Sequence, residues 1–273
     1  MNILQEITLR TKGRIEEKKK TLPIEKLLEE LNYPKEAYKT LNNQNQTFPF
    51  EKALKSNDIA LICEVKKASP SKGIISKDFP YLDIAKEYEA AGAAAISVLT
   101  EPYYFQGNDK YLQEIAKAVS IPLLRKDFTV DSYMIYEAKL LGAYAVLLIC
   151  SILDRDTLAE YISIAHNLGL SALVEAHSEE EVTMALSAGA RIIGVNNRNL
   201  KTFEVDITLS QRLRKLVPPD VIFVSESGIS TGADIAKLRE IGADAALIGE
   251  SLMKSGDIAK AIAGLDVFAK SDF

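Results

Sequence analysis

The chain has 273 residues, 47% of them hydrophobic and 26% charged, and a net charge of −5. That describes an ordinary soluble globule, and the acidic balance argues against a nucleic-acid partner. The longest apolar run, 143–150, is far too short for a membrane span, and the charge-alternating N-terminus lacks the apolar stretch of a signal peptide, so a cytoplasmic protein is expected.

Taken in chain order, residues 1–20 and 23–31 read as helices. Ile3, Leu4 and Ile7, then Leu22, Leu27, Leu28 and Leu31, form apolar stripes long enough to dock on a larger body. Lys18-Lys-Lys reads as a solvated helix face, and 42–49 as a polar connector. From Ile59 onward, strands expected at 59–65, 93–99, 121–126, 143–149, 169–175, 190–196, 221–226 and 244–249 alternate with amphipathic stretches such as 81–91, 108–118, 131–141, 155–167, 179–188 and 231–241. Five helix ends carry a glycine followed by a small or apolar residue, at Gly92, Gly142, Gly169, Gly189 and Gly242. Glycine there supplies a left-handed C-cap before the chain turns into the next strand. Strands separated by helices must pair in parallel through right-handed crossovers. Eight such units in this length point to a single (β/α)8 barrel of the TIM type spanning 1–273, of which 1–45 is an N-terminal helical extension. No Gly-x-Gly-x-x-Gly follows a strand, so a dinucleotide fold has no support.

The strand ends carry the chemistry. Glu64 and Lys66 are two apart at the end of an apolar run, so they share a face, and in a covered strand that face is inward. Burying an acid and a base is costly unless they pair or serve a ligand; a structural Glu–Lys pair is the plainer alternative. The anomaly recurs at Lys126 and Asp127, Glu175, Asn196, and Glu226 and Ser227. In a closed parallel barrel these ends meet at one face, where catalytic groups gather. Gly228 follows the seventh strand, and Gly249 and Glu250 follow the eighth. Loops at those two positions form the recurrent phosphate site of such barrels. Two histidines without clustered spacing make a zinc site a poor reading. His177, just past Glu175 on the active face, is read first as a loop-capping residue, with lining of the site as the alternative, while Cys63 and Cys150 are read as small core residues within strands. Neither a metal nor a cofactor is expected.

Glu64-Val-Lys-Lys-Ala-Ser-Pro-Ser resembles the signature of the indole-3-glycerol-phosphate synthase family. Blocks around Val98–Gly107, Leu124–Phe128, Leu173–Glu175, Ile193–Leu200, Ser225–Ile229 and Ile248–Met253 resemble the family's others, in order. Asn199 stands where some members have Asp. The resemblance implies ring closure, decarboxylation and dehydration of 1-(2-carboxyphenylamino)-1-deoxyribulose 5-phosphate to indole-3-glycerol phosphate, CO2 and water. It implies that Lys126 is the general acid, its pKa lowered by burial or by Lys66, which also holds the substrate carboxylate. Glu175 and Glu64 are the candidate bases for dehydration, with Lys66 or Lys126 as the acid. Asn196 and Ser227 are read as hydroxyl-positioning groups, Arg198 and Glu226 as a supporting ion pair, and Phe105 and Phe128 as the walls of an aromatic slot. Ser69, Gly228, Gly249 and Glu250, the last through its backbone, are the expected phosphate contacts. The expected partner is a small phosphorylated substrate. The chain is expected to be a monomer, with at most weak association with other tryptophan-pathway enzymes. Another phosphate-binding barrel enzyme of aromatic amino-acid biosynthesis, or a non-catalytic sugar-phosphate binding protein, would share the glycine loops but not the acid–base set. The loop Lys67–Ile74 and residues 1–45 are expected to cover the active face and to order further on ligand binding, the alternative being that 1–45 plug the opposite end.

Overall fold

The computed structural model describes residues 2–32, 47–55, 58–199 and 202–265; the core of the polar connector, 42–46, lies outside them. Eight parallel strands close into a barrel: β1 (Ala60–Val65), β4 (Ala95–Leu99), β5 (Leu123–Lys126), β6 (Ala145–Ile149), β7 (Ser171–Ala176), β8 (Ile192–Asn196), β9 (Ile222–Glu226) and β10 (Ala245–Ile248). A two-residue hairpin, β2 (Ala68–Ser69) with β3 (Gly73–Ile74), stands on the loop after β1. Helices α4 (Tyr81–Ala90), α5 (Asp109–Ala118), α6 (Tyr133–Leu140), α7 (Arg155–Asn167), α8 (Glu179–Ser187), α9 (Thr208–Arg214), α10 (Gly232–Glu240) and α12 (Ile258–Ala263) follow the strands, and the short α11 (Glu250–Met253) directly follows β10.

Strand alternation sorts the core into two shells. Ala60, Ile62, Ala95, Leu124, Ala145, Leu147, Leu173, Ile192, Ile222, Val224, Ala245 and Leu247 fill the barrel interior. Leu61, Cys63, Val98, Val146, Val174, Ile193 and Phe223 point outward against the helices. Most strands begin one or two residues later than expected, because the glycine and the small residue after each helix belong to the turn. Gly92, Gly142, Gly169, Gly189 and Gly242 all take positive φ there. Cys150 is buried but sits in a single 3-10 turn just past β6 rather than in a strand.

The segment before the barrel covers both of its ends. Helix α1 (Ile3–Thr21), started by an Asn2–Gln5 capping box, buries Ile7, Thr11 and Ile15 along one stripe. It lies over the C-terminal ends of the strands. Arg14 reaches both carboxylate oxygens of Asp127 at 2.9 and 2.8 Å. Lys18 pairs with Asp109 and with Glu137 (2.6 Å), and Lys19 pairs with Asp131 (2.6 Å). The lysine run is therefore not the solvated face expected of it; only Lys20 is largely exposed, because two of the three stems turn toward barrel carboxylates. Helix α2 (Ile24–Glu30) continues down the side, burying Leu27 and Leu28.

Helix α3 (Pro49–Leu54), unforeseen in the sequence, stoppers the opposite end with Phe50 and Leu54, both fully buried. Its Glu51 accepts bonds from Arg191 (2.6 and 3.1 Å) and Ser171 (3.3 Å), where β7 and β8 begin.

Asp127 is 1% exposed, so its charge depends on Arg14, on the Thr100 hydroxyl (2.7 Å) and on the Phe128 N–H (2.8 Å). Removing one partner of a buried pair strands the other charge. Arg14→Leu is expected to lower stability by about 3–5 kcal/mol in denaturant unfolding, with part of the loss recovered on adding Asp127→Asn. An unchanged unfolding midpoint would show that α1 is not held by this pair.

Candidate active site

The last inward positions of the strands converge on a ring of charge. Lys126 of β5 places its Nζ 3.1 Å from Glu175 Oε2 on β7 and 2.6 Å from Glu226 Oε2 on β9. The three side chains are only 13%, 3% and 2% exposed. Glu64 of β1, beside them, is held by Lys66 Nζ at 2.6 Å and by the Ser97 hydroxyl at 3.4 Å. The glycine of β8 makes room for this packing: a Cβ on Gly194 would lie 2.2 Å from Glu226 Oε1. Asn196 follows two residues later, next to Glu226 in the ladder and hydrogen-bonded to Glu175.

Burial alone would favour the neutral amine at Lys126. The negative charges of Glu226, Glu175 and Glu64 outweigh it and hold the ammonium well above its ordinary pKa. This reverses the expectation of a lowered lysine, because Lys66 spends its charge on Glu64 and three carboxylates surround Lys126. Burial pushes Glu226 up to about 7, with Lys126 opposing and Glu175 reinforcing. Glu175 feels the same burial, yet Lys126 and His177 hold it below its usual value. One site thus carries two carboxylates whose proton affinities are driven apart, the pattern of an acid–base pair.

Above the ring opens a cavity with about 910 Å3 of space, counting its mouth. Phe105 and Phe128 face one another in its wall, ring centroids 6.1 Å apart, joined by Phe203 and by Ile3, Leu4 and Ile7 of α1. Phe105 is positioned by Glu101, a fully buried carboxylate that accepts the N–H groups of Tyr103 (3.0 Å), Tyr104 (2.7 Å) and Phe105 (3.0 Å).

A second recess adjoins it, lined by Lys66, Arg198, Ser227, Gly228, Gly249 and Glu250. Its floor demands glycine at two points. Gly228 has φ +80° and no room for a Cβ beside Val205, and a Cβ on Gly249 would lie 2.6 Å from Glu64 Oε1. Ser227 is left-handed as well, at φ 67°, a conformation costing a non-glycine residue about 1–2 kcal/mol. Arg198 does not pair with Glu226, as the sequence suggested. It lies beyond the end of β8 and meets Glu250 at 3.3 Å, while Glu226 points into the barrel toward Lys126. The Glu250 carboxylate also holds Lys254 (2.7 Å) and approaches Lys72 of the hairpin loop (3.9 Å). Ser69, in the hairpin, lines the main cavity near Ser71 (3.5 Å) and not the glycine recess.

Three further residues organise the site, and of these only Asn197 had not stood out in the sequence. Asn197 donates to Ser225 Oγ (3.0 Å) and to the Ser227 carbonyl (3.1 Å), while its Oδ1 accepts the Ser210 hydroxyl (2.8 Å), fixing the strained turn after β9. Asp127 ties the cavity wall to α1. His177 stands behind Glu175, its Nε2 at 3.4 Å from Glu175 Oε1. The only signal for Asn197 was its place in the Asn196-Asn197 doublet at the end of a strand. Among the described residues no three His, Cys, Asp or Glu side chains are arranged to hold a metal, and no helix is long and apolar enough to cross a membrane.

Comparison with known proteins agrees with this geometry. The family model for indole-3-glycerol phosphate synthase matches residues 4–265. The chain is 61% identical over 263 residues to the indole-3-glycerol phosphate synthase of Ruminiclostridium cellulolyticum, covering 96% of this chain and 98% of that one. It is 56% identical to that of Endomicrobium trichonymphae, covering 94% and 97%. Among solved structures, KGPDC from Streptococcus mutans superposes with a TM-score of 0.61 at 10% identity, over 77% of this chain and 96% of that one. The Pyrococcus furiosus tryptophan synthase complex gives 0.57 at 15%, over 76% and 97%. These two structures are similar in fold alone. The sequence matches reach further, and with them this barrel belongs to the indole-3-glycerol phosphate synthase family.

Proposed function

We propose that the chain closes the indole ring of 1-(2-carboxyphenylamino)-1-deoxyribulose 5-phosphate, releasing CO2 and water, with Lys126 as the general acid. The observation that carries this reading is the Lys126 ammonium held between Glu175 and Glu226 beneath an aromatic-walled cavity with a cationic recess. The phosphate enters the recess, met by Gly228, Gly249, Ser227 and the cations Lys66 and Arg198, and the Glu250 carboxylate gives up Arg198 to it. Lys66 leaves Glu64 to meet the substrate's carboxylate, and Phe105 and Phe128 grip the anthranilate ring.

In ring closure the aromatic carbon attacks the ketone, and charge grows on the carbonyl oxygen. Lys126 delivers its proton there. The carboxylates that keep Lys126 charged at rest also make it a reluctant donor; once the ketone oxygen displaces one of them, burial favours the neutral amine and the proton leaves more easily. The C–CO2 bond then breaks, and its electron pair neutralises the iminium nitrogen. Dehydration follows, with Glu175 or Glu64 taking a proton and Lys66 or Lys126 protonating the departing hydroxyl. Asn196 and Ser227 orient that hydroxyl. The site is complete in one chain, so we propose a cytoplasmic monomer that associates at most weakly with other enzymes of tryptophan biosynthesis.

Lys126→Met is expected to lower kcat about 10²–10⁴-fold with modest change in KM; near wild-type turnover would move the acid to another residue, Lys66 first. Glu226 titrates near 7, so as pH rises past that value the ring gains a negative charge and should repel the anionic substrate. KM should therefore rise through that pH, and this limb should vanish in Glu226→Gln; a limb that survives in the variant belongs to another group. Because Lys126 and the iminium supply the acid and the electron sink, turnover should persist in excess chelator, and a loss restored by added metal would overturn that scheme. Truncation of α1 removes Ile3, Leu4 and Ile7 from the wall. Whatever folded barrel remains should show a raised KM, and an unchanged KM would deny α1 any part in binding.

A further inference from the structure

Proton balance sets a requirement that the acid–base ring alone does not meet. The substrate's carboxylate leaves as CO2, its bonding electrons stay behind on the iminium, and the proton given to the ketone oxygen departs in water. In dehydration one proton is given to the hydroxyl and one is taken from the ring, which cancel. Each turnover therefore consumes one proton, and Lys126 ends it as a neutral amine. While substrate or product fills the cavity beneath α1, recharging before product release takes a route to water other than the cavity mouth.

The structure offers one behind Glu175. That carboxylate has two different neighbours: Oε2 faces Lys126 at 3.1 Å, and Oε1 faces His177 Nε2 at 3.4 Å. His177 is anchored from the far side. Its backbone N–H donates to Glu181 Oε2 (2.7 Å), and its Nδ1 lies 3.3 Å from the same oxygen. Its Nε2 is buried with no hydrogen-bond partner, so the ring is aimed at Glu175 without being tied to it. The imidazole also borders a side cavity, lined by Glu181, Glu204, Asp206 and Arg212, which meets the substrate cavity at Leu4 and Asn196 but opens away from the acid–base ring.

Resting on Lys126 as the acid, we propose that His177 is the proton-holding residue that reloads Lys126 through Glu175, drawing from the side cavity. In the first step the His177 Nε2–H bond breaks and a Glu175 Oε1–H bond forms, leaving neutral imidazole and a carboxylic acid. A half-turn of the carboxyl about Cγ–Cδ brings the proton to Lys126, whose amine takes it and restores the ammonium and carboxylate. Water in the side cavity then reprotonates His177. The groups facing the ring are Glu175 from β7, Glu226 from β9 and Glu181 from α8, with Glu204, Asp206 and Arg212 across the side cavity. Burial disfavours the imidazolium, but Glu181, Glu175 and Glu226 outweigh it and raise the ring above its usual 6.5, which favours the proton-loaded form.

The test compares one turnover with many in His177→Asn, which can keep a bond to Glu181 but cannot titrate, and in His177→Gln as a second variant. With enzyme in excess over substrate, Lys126 is already charged, and the first proton transfer, read as ring closure with release of CO2, should run at the wild-type rate. Under steady state kcat should fall about 10²-fold, as for a lost proton-transfer group. Added imidazole should restore it, and the imidazolium limb should disappear from the pH profile. Unchanged kcat in both variants would overturn the relay. Equal losses in single and multiple turnover that imidazole does not rescue would make His177 merely structural, and would overturn it too. Lys126→Met serves as the control: a single-turnover rate retained there would remove Lys126 as the acid, a failure distinct from that of His177.

Discussion

The site is organised around one lysine held charged where charge is costly. Lys126 sits buried at the centre of the barrel mouth, and Glu226 and Glu175 at 2.6 and 3.1 Å, with Glu64 beside them, keep it an ammonium. Neither carboxylate is satisfied by the pair alone: Glu226 Oε1 has no hydrogen-bond partner in the site. The ring therefore rests in a state that an entering ligand can rearrange, because a ketone oxygen or an anion replaces contacts that are already strained by burial. Gly194 belongs to this arrangement as much as the charges do, since any side chain there would push Glu226 off its place.

The surroundings repeat the same device further out. Arg125 faces outward from β5, is 2% exposed, and pairs with Asp109 (2.8 Å) and Glu137 (2.7 Å), the two carboxylates that also receive Lys18 of α1. Successive residues of one strand thus serve two networks: Lys126 inside governs chemistry, and Arg125 outside secures the helix that roofs it. Period-two alternation makes this possible, and it links the position of α1 to the position of the acid. At the other end, Glu51 of α3 binds the starts of β7 and β8, the strands that carry Glu175 and Asn196.

Much of this was legible in the chain. Polar groups ending apolar runs at Glu64, Lys126, Glu175, Asn196 and Glu226 marked inward positions at one rim, and closure of the barrel brings all five together. Glycines after helices marked the turns. Partner choice was not legible, because it depends on where loops turn in three dimensions. Arg198 and Glu226 end or follow neighbouring strands, yet one side chain leaves the barrel for Glu250 and the other enters it. Lys18 and Lys19 looked solvated because their carboxylate partners lie about a hundred residues away in the chain. Helix α3 was hidden by its six-residue length and its position behind a polar connector. The direction of the Lys126 shift was missed for the same reason: counting cations nearby in sequence overlooks three acids that only folding brings close.

The most direct measurement is the protonation state of Lys126 itself, followed by side-chain 15N resonance in the free enzyme across a pH titration. A lysine caged by Glu175 and Glu226 stays an ammonium well past the pH at which free lysine loses its proton, and returns toward ordinary behaviour when both acids are replaced by Gln. Loss of its proton at or below the usual value in the wild-type enzyme would contradict the caged ammonium on which the chemistry of this site is built.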